Sequence, residues 1–221
     1  MADRRNEWAA RQQKAWSFST PCSALPRGLT RFVRDVIPVR AGLNVEFEHI
    51  EVISHPIQNV YEVLRDHTAD LAPYLPQVTS IKELSREEES PGVIRVLNHW
   101  QANDRSAPAA VRPFVSKKML AWHDHARWMD AEHQVEWRLE TTYLARLFEC
   151  GGVNAVESHG DGNSQFRLHG TLIVYPERVP GVPRILAKRL RSKIEDWMIQ
   201  MITPNLAELP RAVQQFLDRR A

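Results

Sequence analysis

PRILAKRLRSKIEDWMIQMITPNLAELPRAVQQFL, residues 183–217, is the stretch on which the fold turns. Apolar residues recur along it at Ile185, Leu186, Leu190, Ile194, Trp197, Met198, Met201, Ile202, Leu206, Leu209, Val213, Phe216 and Leu217. Successive steps of one, three or four residues put them on one stripe of an α-helix. Arg184, Lys188, Arg191, Lys193 and Glu195 fall on the other face. Pro183 suits a first helical turn, just after the turn-prone Pro180-Gly181-Val182. Unbroken, such a helix would run roughly 50 Å at about 1.5 Å per residue, longer than a small domain is wide. Pro204 and Pro210 each remove a backbone donor. A break or kink is therefore expected near Thr203-Pro204, with a second segment continuing the stripe. A helix this one-sided needs a large apolar surface to lie on, with Trp197 at the buried centre.

The residues upstream read as the sheet that supplies this surface. Leu120, Trp122, Ala126 and Trp128 share one strand face, opposite His123, His125 and Arg127. Val135, Trp137 and Leu139 do the same against Glu136, Arg138 and Glu140. Phe148 to Glu157 is a strand holding Gly151-Gly152, and Asp161-Gly162 marks a hairpin turn. Gln165 to Tyr175 turns Phe166, Leu168, Leu172 and Val174 inward and Arg167, His169 and Thr171 outward, and Pro176 ends it. Further upstream, Val78 to Leu84 and Val93 to Gln101 are strands separated by a charged turn, Arg86 to Gly92. Val45 to Ile53 is the first strand. Its apolar phase changes from Val45/Phe47 to Ile50/Val52, which predicts a bulge near Glu48-His49. Pro56 opens a helix that buries Val60, Tyr61, Val63 and Leu64, and Asp66 to Pro76 is a second, shorter helical piece. Asn103 to Lys118, with Pro108 and Pro113, is a long loop. The order is strand, two short helices, a run of antiparallel strands and a long helix. This is an α+β domain over residues 43–221, its sheet covered by the terminal helix.

Residues 1–42 differ from the rest. They hold eight Arg/Lys against Asp3, Glu7 and Asp35, a net +5 within a chain whose total is +2. Leu29, Phe32, Val33, Val36 and Ile37 mark a short amphipathic helix there. The expectation is a loosely ordered tail or an N-terminal extension. The functional counterpart is an arm for peripheral membrane or partner contact. A chain starting near Leu43 is expected to fold. No basic stripe with interleaved aromatics runs along the strands, which argues against nucleic acid as a partner. Cys22 and Cys150 form neither a disulfide framework nor a metal quartet, and their usage suits the reducing cytoplasm.

This order of elements resembles the START-like, helix-grip superfamily, which includes Bet v 1-like allergens, polyketide cyclases and lipid-transfer domains. The residues that carry the resemblance are the first strand running into Ser54-His55-Pro56-Ile57-Gln58-Asn59-Val60-Tyr61, then Leu71-Ala72-Pro73-Tyr74-Leu75-Pro76 before Val78-Thr79-Ser80-Ile81. The strand containing Trp128 and the long last helix complete it, over residues 44–218. The resemblance implies a curved antiparallel sheet gripping the last helix, with an apolar cavity between them.

No catalytic motif stands out. On a strand His123 and His125 point away from Asp124, so the three cannot close on one ion, and no metal or other cofactor is expected. Asp124 shares the inward face with Trp122 and Trp128. Buried, it would be an acid/base candidate, unless a bulge turns it out or an arginine pairs with it. Asn98 alternates with Ile94, Val96 and Trp100 and so offers an amide to the interior. Trp100, Trp122, Trp128, Trp137, Phe166 and Trp197 could line a pocket for a flat or long apolar ligand, or fill a tight core. Leu172, Ile194, Met198 and Met201 belong to the same lining. Cys150 reads as a buried small residue.

The function expected from these residues is binding, and in a carrier role transfer, of an apolar small molecule or lipid between sheet and helix. Asn98 or Asp124 would fix its orientation. One alternative is a cyclase or dehydratase using the same cavity. Another is an interaction protein with a filled core. Fold alone does not choose among them.

Overall fold

The computed structural model describes residues 37–41, 44–103, 120–141, 148–175 and 208–220. Strand β1 (Ile37–Ala41) turns into β2 (Asn44–Ile53). Helix α1 (Ile57–Asp66) and a 3-10 helix (Thr68–Tyr74) follow, and then β3 (Val78–Ser90), β4 (Val93–Ala102), β5 (Ala121–Met129), β6 (Gln134–Thr141), β7 (Phe148–Ser158) and β8 (Ser164–Val174). Residues 208–218 form a helix, α2. The described strands make one antiparallel sheet in the order β1-β2-β8-β7-β6-β5-β4-β3. Strands β3 to β8 are a simple meander. The segment α1 and its 3-10 successor carries the chain from β2 to the far edge, so the first long strand closes against the last.

The α+β architecture expected from the pattern is present, and three details differ. The pairing of β2 with β8 runs without interruption from Val45↔Leu172 to Ile53↔Ser164. No bulge occurs at Glu48-His49. Val45, Phe47, His49 and Ile53 are buried, while Ile50 and Val52 are 40% and 46% exposed. Apolarity alone misassigned the phase here, because the inward row continues through two polar residues. Ile37 lies in β1, opposite Glu48, and not in a helix. The remainder of residues 1–36 lies outside the described residues. Finally, β3 does not stop at Leu84 but continues through the charged run to Ser90. As the outermost strand at that side it needs only β4 to satisfy its ladder, and only Val78 and Ile81 along it are buried. Its register slips three times, between Val78 and Ser80, Glu83 and Ser85, and Glu88 and Ser90.

Helix α1 buries Val60, Tyr61, Val63 and Leu64, as its periodicity predicts, and packs against β7 and β8. Helix α2 continues the C-terminal stripe. Ala212, Val213 and Phe216 join the core, with Leu209 and Leu217 packed against it. Polar contacts fix its placement. Gln214 Oε1 accepts from the Ser54 backbone N–H at 2.7 Å, and His55 Nε2 meets Asp218 Oδ1 at 2.9 Å. Pro210 is buried in the first part of the helix. The stretch from Pro183 to Ala207, including the expected break at Thr203-Pro204, lies outside the described residues. No helix among the described residues is long and apolar enough to cross a membrane.

Candidate functional site

Strand pairing sorts the inner face of the sheet into rows. One row is Trp100, Trp122 and Thr141 on β4, β5 and β6. The next runs Asn98, Asp124, Leu139, Cys150, Leu172 and Val45, ending on β2. The third is Val96, Ala126, Trp137, Gly152, Gly170 and Phe47. The fourth is Ile94, Trp128, Val135, Asn154, Leu168 and His49. Because side chains alternate along a strand, every member of these rows points the same way.

The third row is a floor of rings on glycine. Phe47 and Trp137 stand 6.4 Å apart over Gly152 and Gly170. A Cβ on Gly170 would sit 2.4 Å from Phe47 Cζ, and one on Gly152 would sit 2.0 Å from the His169 carbonyl oxygen. Gly151-Gly152 therefore serves close packing, with Gly152 inward. Trp137 Nε1 donates to Asn154 Oδ1 at 2.8 Å, so its polar atom is satisfied within the sheet.

The first two rows hold a polar patch in apolar surroundings. Asn98 and Asp124 face each other across the β4–β5 pair, and Asn98 is buried. The Trp100 and Trp122 rings stack beside them, 5.8 Å apart and 17° from parallel. Three atoms here are buried without a hydrogen-bond partner: Asp124 Oδ1, Trp100 Nε1 and Thr141 Oγ1. Burial pushes the Asp124 carboxyl up to about 7, against the opposing pull of the Asn98 amide and the Trp100 indole N–H. The indole N–H exerts its pull from outside hydrogen-bonding geometry. No bulge turns Asp124 outward, and no arginine is among the groups that shift it. Cys150, in the same row, is buried, and burial pushes its thiol up to about 12, far from a reactive thiolate.

Of the residues picked from sequence, Asn98, Trp100, Trp122 and Asp124 form this one patch. Leu172 lies in the same row, three strands from Asp124, and Trp137 in the next row. Trp128 is one row further on, edge-to-face with Tyr61 of α1 at 5.5 Å. Phe166 is completely buried, beyond that row and opposite Glu51. Ile194, Trp197, Met198 and Met201 lie outside the described residues. On the outer face His99 and His123 come together with ring centroids 5.3 Å apart, and His125 meets Glu140 at 2.9 Å. Among the described residues no three potential metal ligands converge.

Sequence reasoning missed Thr141 and His49. Thr141 follows Val135, Trp137 and Leu139 by simple alternation. His49 follows Val45 and Phe47 in the same way. It is 2% exposed, its Nε2 lies 3.0 Å from Glu51 Oε2, and its Nδ1 is buried without a partner.

No known family profile matches the chain, and no curated protein sequence does. Solved structures do match. TTHA0849 from Thermus thermophilus is 19% identical with a TM-score of 0.55, over 80% of this chain and 99% of that one. The Zhui aromatase/cyclase from Streptomyces sp. R1128 is 16% identical with a TM-score of 0.55, over 80% of this chain and 95% of that one. The di-domain aromatase/cyclase StfQ of the steffimycin biosynthetic pathway is 15% identical with a TM-score of 0.51, over 80% of this chain and 52% of that one. At such identities the likeness is one of fold. The fold is the α+β helix-grip arrangement expected from the sequence.

Proposed function

We propose that this chain binds an apolar small molecule or lipid against the inner face of its sheet, and serves to carry it. One observation supports this most. Buried polar groups in folded proteins are nearly always paired. Here Asp124 Oδ1, Trp100 Nε1 and Thr141 Oγ1 are unpaired together on one aromatic patch. Such a patch suits a ligand whose apolar body lies on Trp100, Trp122, Trp128 and Trp137 and whose polar group meets Asp124 and Asn98. Ile194, Trp197, Met198 and Met201, outside the described residues, are proposed to contact the same ligand. Apolar burial at roughly 25 cal/mol per Å² supplies the affinity, and the polar patch supplies orientation. The basic residues that precede β1 are proposed to serve in peripheral membrane or partner contact, and the protein to be cytoplasmic. Native mass spectrometry of protein purified from its own host tests the reading by looking for a co-purified apolar molecule. Titration with an environment-sensitive apolar dye, read by tryptophan quenching and weakened by Trp128→Ala, is the second arm. No binding by any apolar probe would overturn it.

A catalytic reading, a cyclase or dehydratase on the same face, is favoured by one fact. A carboxyl that titrates near 7 can both give and take a proton at neutral pH. The Zhui protein, an aromatase/cyclase, is of this class. Under this reading Asp124→Asn abolishes turnover of a bound polyketone while leaving its affinity in place. Under the carrier reading no turnover occurs with either protein.

A further inference from the structure

Away from the Asp124 patch, β2 carries a second polar group on the inner face, and nothing in the proposed binding mode uses it. His49 is almost wholly buried. Its Nε2 lies 3.0 Å from Glu51 Oε2. Glu51 is held in turn by Arg211 of α2, whose Nε is 3.3 Å from Glu51 Oε1 and whose Nη1 is 2.7 Å from Glu208. A carboxylate only accepts hydrogen bonds, so Nε2 of His49 carries the proton in this pair. In the neutral ring this tautomer leaves the Nδ1 lone pair as an acceptor. That atom is buried and has no partner. A buried acceptor left unpaired costs about 1–3 kcal/mol. The cross-strand neighbour of His49 is the apolar Leu168, and Arg167 and His169 on either side of Leu168 point to the outer face.

Resting on the ligand-binding reading above, we propose that His49 is a second anchor: a hydrogen-bond acceptor, oriented by Glu51 and Arg211, for a hydroxyl donor on the bound molecule. The ligand class narrows accordingly. It is an apolar body bearing a free O–H, such as a phenol or an alcohol, and not a hydrocarbon or an ether of the same shape. Arg211 gives the anchor a structural tie, because the charge that holds Glu51 comes from the C-terminal helix. Displacement of that helix would release Glu51 and with it the ring orientation.

The test compares 2-naphthol with 2-methoxynaphthalene, which differ by conversion of the donor to an ether. Binding to the full chain is read by tryptophan quenching. The expected result is at least about tenfold tighter binding of 2-naphthol, the scale of one buried hydrogen bond. His49→Phe should bring the two probes within about twofold, while a change at the exposed Gln215, Gln215→Ala, should keep the preference. A preference that persists in His49→Phe would place the hydroxyl away from His49 and overturn the proposal. Equal binding of both probes to the unmodified chain would overturn it as well, and binding of neither would overturn the ligand-binding reading itself. A measurement without substitution covers the case in which His49→Phe fails to fold. In the histidine 15N spectrum, His49 should show a protonated Nε2 and a bare Nδ1, with Nδ1 shifting when 2-naphthol saturates the protein. A protonated Nδ1, or a resonance that does not move, would sink the assignment.

Discussion

The Tyr61 hydroxyl donates to the Asp130 carboxylate at 3.0 Å, tying α1 to the turn between β5 and β6. Arg65, one helical turn on, reaches the same carboxylate at 2.6 Å. Burial, and then the bond to Asp130, push the Tyr61 phenol well above its usual range. Its ring stands edge-on to Trp128 and His133. Tyr61→Phe keeps the ring and removes the bond, so it should cost about 1 kcal/mol. Tyr61→Ala should cost about 3–5 kcal/mol, since the ring is fully buried. Urea melts of both variants measure the difference. Equal losses would mean that the hydroxyl, and not the ring, secures the helix.

The pH dependence of stability should carry the mark of Asp124. Its native pKa is raised to about 7, above the ordinary carboxylate value. The native state then holds a proton that the unfolded chain releases earlier. The contribution of the group is full below about pH 4, falls as pH rises, and is lost once pH passes 7. The span is on the order of 4 kcal/mol. Asp124→Asn removes this titration, so the variant should gain on the parent between pH 4 and pH 8. Denaturant melts across that range test it, and a constant difference would show that Asp124 does not titrate there.

Gly152 and Gly170 should not tolerate alanine equally. At Gly170 the added Cβ meets a ring edge of Phe47, and at Gly152 it meets the backbone of β8. A ring can shift, whereas a paired strand cannot. Gly170→Ala is expected to lose about 1–3 kcal/mol, the usual range for overpacking. Gly152→Ala should lose more. Phe47→Leu should partly restore Gly170→Ala and leave Gly152→Ala unchanged. Thermal melts of the two single and two double variants decide this.

The buried side of α2 can be tested within one helical turn. Val213 is completely buried and Gln215 is exposed. Val213→Ala should cost about 2 kcal/mol, while Gln215→Ala should stay within about 0.5 kcal/mol. Equal midpoints in denaturant would mean that the stripe of this helix does not face the sheet.

Most of the fold could be read from side-chain alternation, and the places where the reading failed share a cause. Alternation puts Trp122, Asp124, Ala126 and Trp128 on one face, and Asp124 keeps that face although a carboxylate there runs against hydrophobicity. At His49 and Glu51 hydrophobicity points the wrong way, drawing Ile50 and Val52 inward through a bulge that the pairing does not contain. What rescues the polar pair is Arg211, 160 residues further along the chain from Glu51. No local pattern announces a partner at that distance. The charged run after Leu84 reads as a turn because its residues do not alternate, yet they pair with β4 as a strand whose residues from Lys82 to Ser90 are exposed. The orphaned Trp100 Nε1 and Thr141 Oγ1 were invisible for a different reason. Sequence shows which groups are polar, but only pairing shows which are left without partners.

The register of β3 has a bearing on how the molecule behaves in a crowd. Its outer rim is the place where a second copy could lay down a further strand and start a stack. Such stacking needs a straight, regular row of amides and carbonyls. Three register slips within Val78–Ser90 break that row into short pieces. Lys82, Glu83, Arg86, Glu87, Glu88 and Glu89 add charge along it. Concentrated preparations should therefore stay free of sheet-to-sheet fibrils nucleated at this rim, with solubility secured by the irregularity of the strand as much as by the sign of its charge.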